Sequence, residues 1–325
     1  MIRKRYIHAF VLTVLAALTA ACTADECESY SHSIHQPIEF GVSQGKLSVT
    51  RATTYGTSAT DSKWATTDAV LIADGTTPYT YYPSAVSSSG NGTDYVSLVG
   101  SGTNIHFWNQ YGETRTIHAW SFGNSIVPSG TIGEDLPTNF TLTNDGNNND
   151  LLYATGSFTY HITSPATVPD VIQLDFYHQL AKIVVKVKVD ATTTINGVTL
   201  PDMYVTGAIN LLTNESDEIV WNTTSGTADD ITAVAESPTS DETADGVVAK
   251  YSAVVIPAHY DTGKVIIQVN TDGKGIYYFA LPEGGFSYYA GRQYVYTLIL
   301  KNQIDFNVKV LAWTAEESNR ELRLE

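Results

Sequence analysis

From residue 38 onward, apolar side chains recur at every second position. Ile38, Phe40 and Val42 share one face, and beyond Gly45 so do Leu47 and Val49. A period of two sends successive side chains to opposite faces of an extended chain, which is the pattern of a half-buried strand. Further short apolar or alternating runs predict strands over 69–73, 77–82, 95–99, 105–108, 115–122, 151–159, 171–176, 182–189, 204–212, 249–256, 264–269, 276–281, 294–300 and 304–311. In the last of these Ile304, Phe306, Val308 and Val310 again lie on one face. Turn signals separate the runs: Asp74-Gly75, Asn91-Gly92, Asn196-Gly197, Asp272-Gly273 and Pro282-Glu283-Gly284-Gly285. Many short strands at this spacing predict β-sandwiches or barrels. Helical patterning is confined to short windows, the best being 313–324, and no β-α-β alternation is present. The low-complexity stretches 87–93 and 225–245 read as long surface loops.

The chain has 325 residues, more than one hydrophobic core ordinarily organises, so two domains are expected. Their boundary falls near 177–182, giving an N-terminal β-sandwich over 37–179 and a C-terminal one over 180–325. Hydrophobic residues make up 43% of the sequence and charged ones only 16%, enough apolar surface for real cores. The formal net charge of −16 would repel phosphate backbones and argues against nucleic acid as a partner.

Residues 1–21 have the three parts of an export signal: basic Arg3-Lys4-Arg5, an apolar run from Ala9 to about Leu18, and small residues leading to Cys22. The run is short for a membrane span. Thr19-Ala20-Ala21-Cys22 resembles a lipobox, in which Cys22 is acylated with palmitate and becomes the first mature residue. The other reading is an ordinary signal peptide cut nearby. Residues 22–36 lack sustained periodicity and read as a tether. Its acidic Asp25-Glu26-Cys27-Glu28 resembles a surface-export tag, and is equally a soluble spacer. No cysteine follows Cys27, so the body folds without disulfides.

The common catalytic signatures are missing: no Gly-x-Ser-x-Gly elbow, phosphate-binding loop or His-Glu-x-x-His. The chain therefore reads as no enzyme, with no catalytic residues, metal or cofactor. His106, His118, His161, His178 and His259 lack ligand spacing and read as core or rim residues, while His32 and His35 fall in the tether. Asp145, Asn147 and Asn149 within 144–150 alternate as calcium-loop ligands do, but Asp150 and Gly156 stand where such a loop has its sixth-place glycine and twelfth-place glutamate, so the stretch reads as a polar turn. Tyr79, Tyr81, Tyr82, Trp108, Tyr111 and Trp120 either stack sugars or pack a core.

In order along the chain, Ser48-Val49-Thr50-Arg51-Ala52-Thr53, Trp64 before Ala69-Val70-Leu71-Ile72, Ile117-His118-Ala119-Trp120 after 105–108, and Asp150-Leu151-Leu152-Tyr153-Ala154 form one set of landmarks. Leu174-Asp175-Phe176-Tyr177-His178-Gln179-Leu180-Ala181-Lys182-Ile183, Val255-Ile256-Pro257, Ala290-Gly291 within 286–296, and 304–313 complete it. Together they resemble the fimbrillin family, the subunits and anchors of type V pili of Bacteroidetes-type bacteria. The resemblance implies an all-β fold of two tandem transthyretin-like β-sandwich domains. It also implies delivery to the outer membrane as a surface-exposed lipoprotein, with other copies or related pilus subunits as partners.

In such pili a proteolytic cut frees a first strand and a terminal strand of the next subunit fills the groove. Carried over to this chain, the cut lies between Arg51 and Ala52, the removable piece is 37–51, and Ile38, Phe40, Val42, Leu47 and Val49 plug the groove. Ile304, Phe306, Val308 and Val310 form the candidate donor strand, with Leu322 and Leu324 a shorter alternative. The expected function is a stalk or anchor subunit of a surface fimbria supporting adhesion. A surface glycan-binding lipoprotein using the aromatic side chains above is the other reading.

Overall fold

The computed structural model describes residues 36–43, 64, 66–75, 78–85, 95–110, 112–121, 139–142, 150–160, 171–189, 193–209, 220–272, 275–300 and 304–312. The chain is all-β. Its first half contributes β1 (Gln36–Pro37), β2 (Phe40–Ser43), β3 (Val70–Ala73), β4 (Pro78–Pro83), β5 (Tyr95–Gly100), β6 (Phe107–Trp108), β7 (Thr114–Ser121), β8 (Asn139–Thr141), β9 (Leu152–Thr159), β10 (Ile172–Leu174) and β11 (Tyr177–His178). There follow β12 (Ala181–Val189), β13 (Ile195–Tyr204), β14 (Thr206–Ala208), β15 (Ala228–Thr232), β16 (Val234–Glu236) and the short helix α1 (Ser240–Ala244). The chain continues through β17 (Ala249–Val255), β18 (His259–Tyr260), β19 (Val265–Thr271), β20 (Gly275–Ala280), β21 (Phe286–Ser287), β22 (Arg292–Leu300) and β23 (Ile304–Ala312).

An eight-stranded sheet runs β10-β2-β5-β4-β3-β7-β9-β11, antiparallel except where β10 lies parallel to β2. Phe40 of β2 and Ile172 of β10, neighbours at one end of that order, share a core with Leu152 of β9 near the other end, so the sheet curls over on itself. A five-stranded sheet, β16-β17-β12-β22-β23, and a four-stranded sheet, β15-β13-β19-β20, enclose a second core. Into it point Ile183 and Val185 of β12, Val198 and Leu200 of β13, Val269 of β19, and Tyr294 and Tyr296 of β22.

The middle of the eight-stranded sheet serves both cores. Val70 and Ile72 of β3 enter the first, while Leu71 and Ala73 enter the second; β7 and β9 divide in the same way, with Ile117 and Ala154 on one side and Trp120 and Tyr153 on the other. A strand covered on both faces has no polar alternation, and this explains the unbroken apolar run at 69–73. The second half is further stitched on by a β8–β14 ladder, by Leu142 N–H donating to the Val205 carbonyl at 2.8 Å, and by Trp221 Nε1 donating to the Gln179 carbonyl at 2.9 Å.

Two sequence expectations fail. Asn196-Gly197 is no turn: it lies inside β13, which pairs on both sides and absorbs the glycine as an irregularity in its register with β19 between Ile195 and Gly197. The stretch 225–245 is no simple loop, because it forms β15, β16 and α1. Its acids answer lysines on the outer face of the five-stranded sheet. Lys186 Nζ lies 2.7 Å from Glu242, Lys188 Nζ 2.7 Å from Asp245, and Lys250 Nζ 3.3 Å from Glu242 and 3.6 Å from Glu236. A capping box closes the helix start: Glu242 N–H donates to Thr239 Oγ1 at 3.2 Å, and Thr239 N–H to Glu242 Oε2 at 2.8 Å. Asp74-Gly75 does link β3 to β4, with Gly75 at φ +145°, and the β19–β20 hairpin turns between Thr271 and Gly275. The predicted helix 313–324 and the loop 87–93 lie outside the described residues.

Candidate functional site

The segment that enters the fold first occupies an interior place. β1 pairs antiparallel with β6, Gln36 opposite Trp108, and Ile38 N–H donates to the His106 carbonyl at 2.9 Å. β2 then runs between two neighbours. On one side β5 is antiparallel, with Phe40 opposite Leu98, Gly41 opposite Ser97 and Val42 opposite Val96. On the other, β10 is parallel, with Ile172, Gln173 and Leu174 beside Phe40, Gly41 and Val42.

The alternation read from the sequence decides which side chains go inward. Ile38, Phe40 and Val42 are 4%, 1% and 0% exposed, whereas Glu39 between them is exposed. The Phe40 ring meets Tyr81 edge to face at 5.3 Å and His106 at 6.3 Å. Burying three such side chains contributes roughly 5–9 kcal/mol before ordering costs. Removing the strand would open a slot in mid-sheet, with β5 and β10 each presenting an unpaired edge.

Polar groups support the base of this seat. The Tyr81 hydroxyl accepts from His106 N–H at 2.8 Å, and burial pushes the phenol up to about 12, so it stays neutral. His106 Nε2 donates to the Ile72 carbonyl at 2.7 Å while its Nδ1 lies 3.0 Å from Asp74. Both partners only accept, and a neutral ring satisfies one of them. Burial holds the imidazole below its ordinary value, against the pull of the Ile72 carbonyl.

Beyond Asp74 lies an open cleft of about 680 Å³ lined by Glu113, Thr114, Arg115, Thr116 and His118. Arg115 is shared between Asp74 and Glu113 and rests over Trp108 at 5.8 Å, so its charge is already matched.

The candidate donor positions Ile304, Phe306, Val308 and Val310 lie on β23, which pairs antiparallel with β22 over nine positions, from Leu300 opposite Ile304 to Arg292 opposite Ala312. Plug and donor thus sit in different sheets of one chain. Cys22, Leu47, Val49, Arg51, Ala52 and the tether histidines lie outside the described residues. Tyr81 and His106, which cradle Phe40, were not singled out for this from the sequence; only their period-two places in predicted strands hinted at it.

The aromatic side chains pack inward: Trp120, Tyr81 and Trp108 are 0%, 1% and 3% exposed, and Tyr79 and Tyr82 are half-buried. His106, His118 and His178 are buried and His259 is exposed, which matches core and rim positions. Asp150, at the end of the presumed polar turn, is buried against His178 Nδ1 at 2.6 Å.

A family model described as fimbrillin-like matches residues 50–313. Among solved structures, a candidate cell-adhesion protein of Bacteroides uniformis shares the fold at 16% identity, covering 86% of this chain and 98% of its own, with a TM-score of 0.56. A second, from Bacteroides ovatus, does so at 18% identity over 87% of this chain and 100% of its own, with a TM-score of 0.55. Comparison with curated proteins finds no significant match.

Proposed function

The chain belongs to the fimbrillin-like family, and from that premise we propose that it is a structural subunit, stalk or anchor, of a cell-surface fimbria that supports adhesion. In this reading it is a lipoprotein held in the outer membrane through Cys22 and has no catalytic role. Its two halves act as tandem β-sandwich domains. Cleavage between Arg51 and Ala52 frees the first strand, and assembly proceeds by strand exchange with other copies or related subunits.

One observation carries the reading. Among the described residues, the last strand before the proposed cut is the interior strand β2, whose loss opens a slot lined by apolar side chains between β5 and β10. β-augmentation fills such a slot, with backbone ladders supplying pairing and alternate side chains supplying fit. Before the cut, the intramolecular strand has a high effective concentration and keeps competitors out. The family match also begins at residue 50, so β2 lies outside the matched span.

The test is treatment of purified protein with an arginine-specific protease while light scattering follows particle size, with Arg51→Ala as control. Polymers from the unaltered chain alone support the reading. Equal behaviour of both proteins, or a clean cut without growth, sinks it.

A further inference from the structure

Six strands end the three larger sheets, and five of them are poor templates for a further strand. β10, β11 and β16 are only three, two and three residues long, β15 carries Asp229 and Asp230, and β23 carries Asp305 and Lys309. β20 differs. It is six residues long, Gly275-Ile276-Tyr277-Tyr278-Phe279-Ala280, and contains neither a charge nor a proline. Among the described residues it pairs with β19 alone.

We propose that the open edge of β20 pairs antiparallel with β20 of a second copy of this chain, about a two-fold axis at Tyr278. The pairing needs no cut and no strand exchange, whereas its place as a lateral contact between fimbriae rests on the fimbrial reading above.

The backbone is turned the right way. Leu281 N–H donates to the Lys264 carbonyl at 2.8 Å, and the Leu281 carbonyl accepts from Gly263 N–H at 3.0 Å, so both groups point to the β19 side. Along an antiparallel strand these groups alternate sides. The register irregularity falls between Val265 and Ile267 on β19, so the alternation along β20 is unbroken. The backbone groups of Ile276, Tyr278 and Ala280 therefore face the open edge.

The same three residues present their side chains on the outer face, Ile276 46% and Tyr278 54% exposed and Ala280 exposed as well. Behind them on β19, Asn270 lies opposite Ile276 and Gln268 opposite Tyr278. None of these side chains is charged. In a chain of formal net charge −16 copies repel one another at long range, and a charge-free edge lets two meet without setting like charges opposite.

The strand is complementary to itself in one register. With Tyr278 opposite Tyr278, Ile276 faces Ala280 on the outer side and Tyr277 faces Phe279 on the inner side. Large meets small, aromatic meets aromatic, and all three open residues complete hydrogen-bonded pairs. Centring on Tyr277 sets Ala280 against the turn before Gly275. Centring on Phe279 sets Ile276 against Pro282, which has no N–H to give. The contact is isologous and closes on two copies. One such joint is a short ladder, smaller than stable interfaces require, so free subunits pair weakly. Subunits repeated along neighbouring filaments make many joints at once, and the high effective concentration holds the filaments side by side.

The experiment uses the full chain carrying Cys22→Ser, Cys27→Ser and Arg51→Ala, so that no cut at residue 51 contributes. Single cysteines are placed by Tyr278→Cys, Ile276→Cys or Ala280→Cys, and disulfide-linked dimers are read after mild oxidation at high protein concentration. Hydrogen-bonded partners stand about 5.5 Å apart at Cα, within disulfide reach. Ile276 of the two copies would be about 13 Å apart along the ladder, beyond it.

Tyr278→Cys should link to itself and Ile276→Cys should link to Ala280→Cys, whereas Ile276→Cys alone should not link. Adding Tyr278→Lys to both members of the 276/280 mixture sets like charges opposite at the axis and should abolish its dimer. Thr232→Lys, at the opposite edge of the same sheet, should leave that dimer unchanged. Linking of Ile276→Cys to itself as readily as Tyr278→Cys would assign the dimers to random collision and overturn the proposal. Absence of dimer from Tyr278→Cys, or a 276/280 dimer indifferent to Tyr278→Lys, overturns it too. Each of those results leaves the fimbrial reading standing, because that reading is tested on cut protein.

Discussion

Phe176 closes the first core. It is 1% exposed, and its ring meets Trp64 edge to face at 5.2 Å, so one aromatic side chain supports another across a loop junction. Replacing it by Ala removes that ring and leaves a cavity in a tightly packed region. Phe176→Ala should lower stability by about 3–5 kcal/mol, read as a fall in the denaturant midpoint at pH 7. A midpoint unchanged within error would mean that the surrounding chain collapses into the space. Leu180, Ile183 and Val185, all 0% exposed, belong to the other core, so the apolar run through 176–185 feeds both hydrophobic clusters in turn.

At the scale of elements, the strap formed by β16 and α1 depends on charge. Burial alone would raise the Glu242 carboxyl. The hydrogen bond from Lys186, the Thr239 backbone and the charges of Lys250 and Lys186 overcome this and bring it down to about 2 from an ordinary 4.5. A carboxylate depressed in the folded state binds protons more weakly there than in the unfolded chain. It therefore adds stability above pH about 4.5, and that stability is lost as pH falls toward about 2. The protection of amides 239–246 from exchange, taken relative to their intrinsic rates at each pH, should fall as pH is lowered through this window. Glu242→Gln should show fast exchange already at neutral pH and a flatter pH profile. An unaltered profile in the variant would assign the strap's stability to its backbone ladder with β17.

For the whole molecule, the question is what holds it at the cell surface. Small residues before Cys22 and an acidic tether after it fit a lipid-anchored mature N-terminus, and two acyl chains anchor firmly where one does not. Cys22→Ser should move the protein from the membrane fraction to the soluble one. Fatty-acid labelling of that variant would show that Cys22 is not the attachment site. If the anchor sits on the piece before Arg51, the cut that frees β2 also frees the body from its lipid, so release and assembly become one event.

Periodicity in the sequence determined most strands, and it determined which side chains of each face inward. The reason is local: a pleated chain alternates its faces whatever lies beside it. Thus Ile38, Phe40 and Val42 were legible as one buried face from their spacing alone. Neighbours were not legible, because an amphipathic strand fits any sheet of suitable depth. Only the folded chain placed β2 between β5 and a parallel β10, brought His106 and Tyr81 around Phe40, and set β23 in a different sheet. The same holds for 225–245, whose acids read as a solvated loop until the lysines of β12, distant in sequence, and Lys250 of the following strand β17 came under them. The aromatic side chains were likewise undecided between stacking a sugar and packing a core. Tertiary structure settled Trp108, Trp120 and Tyr81 as buried, because burial depends on what covers a residue rather than on the residue itself.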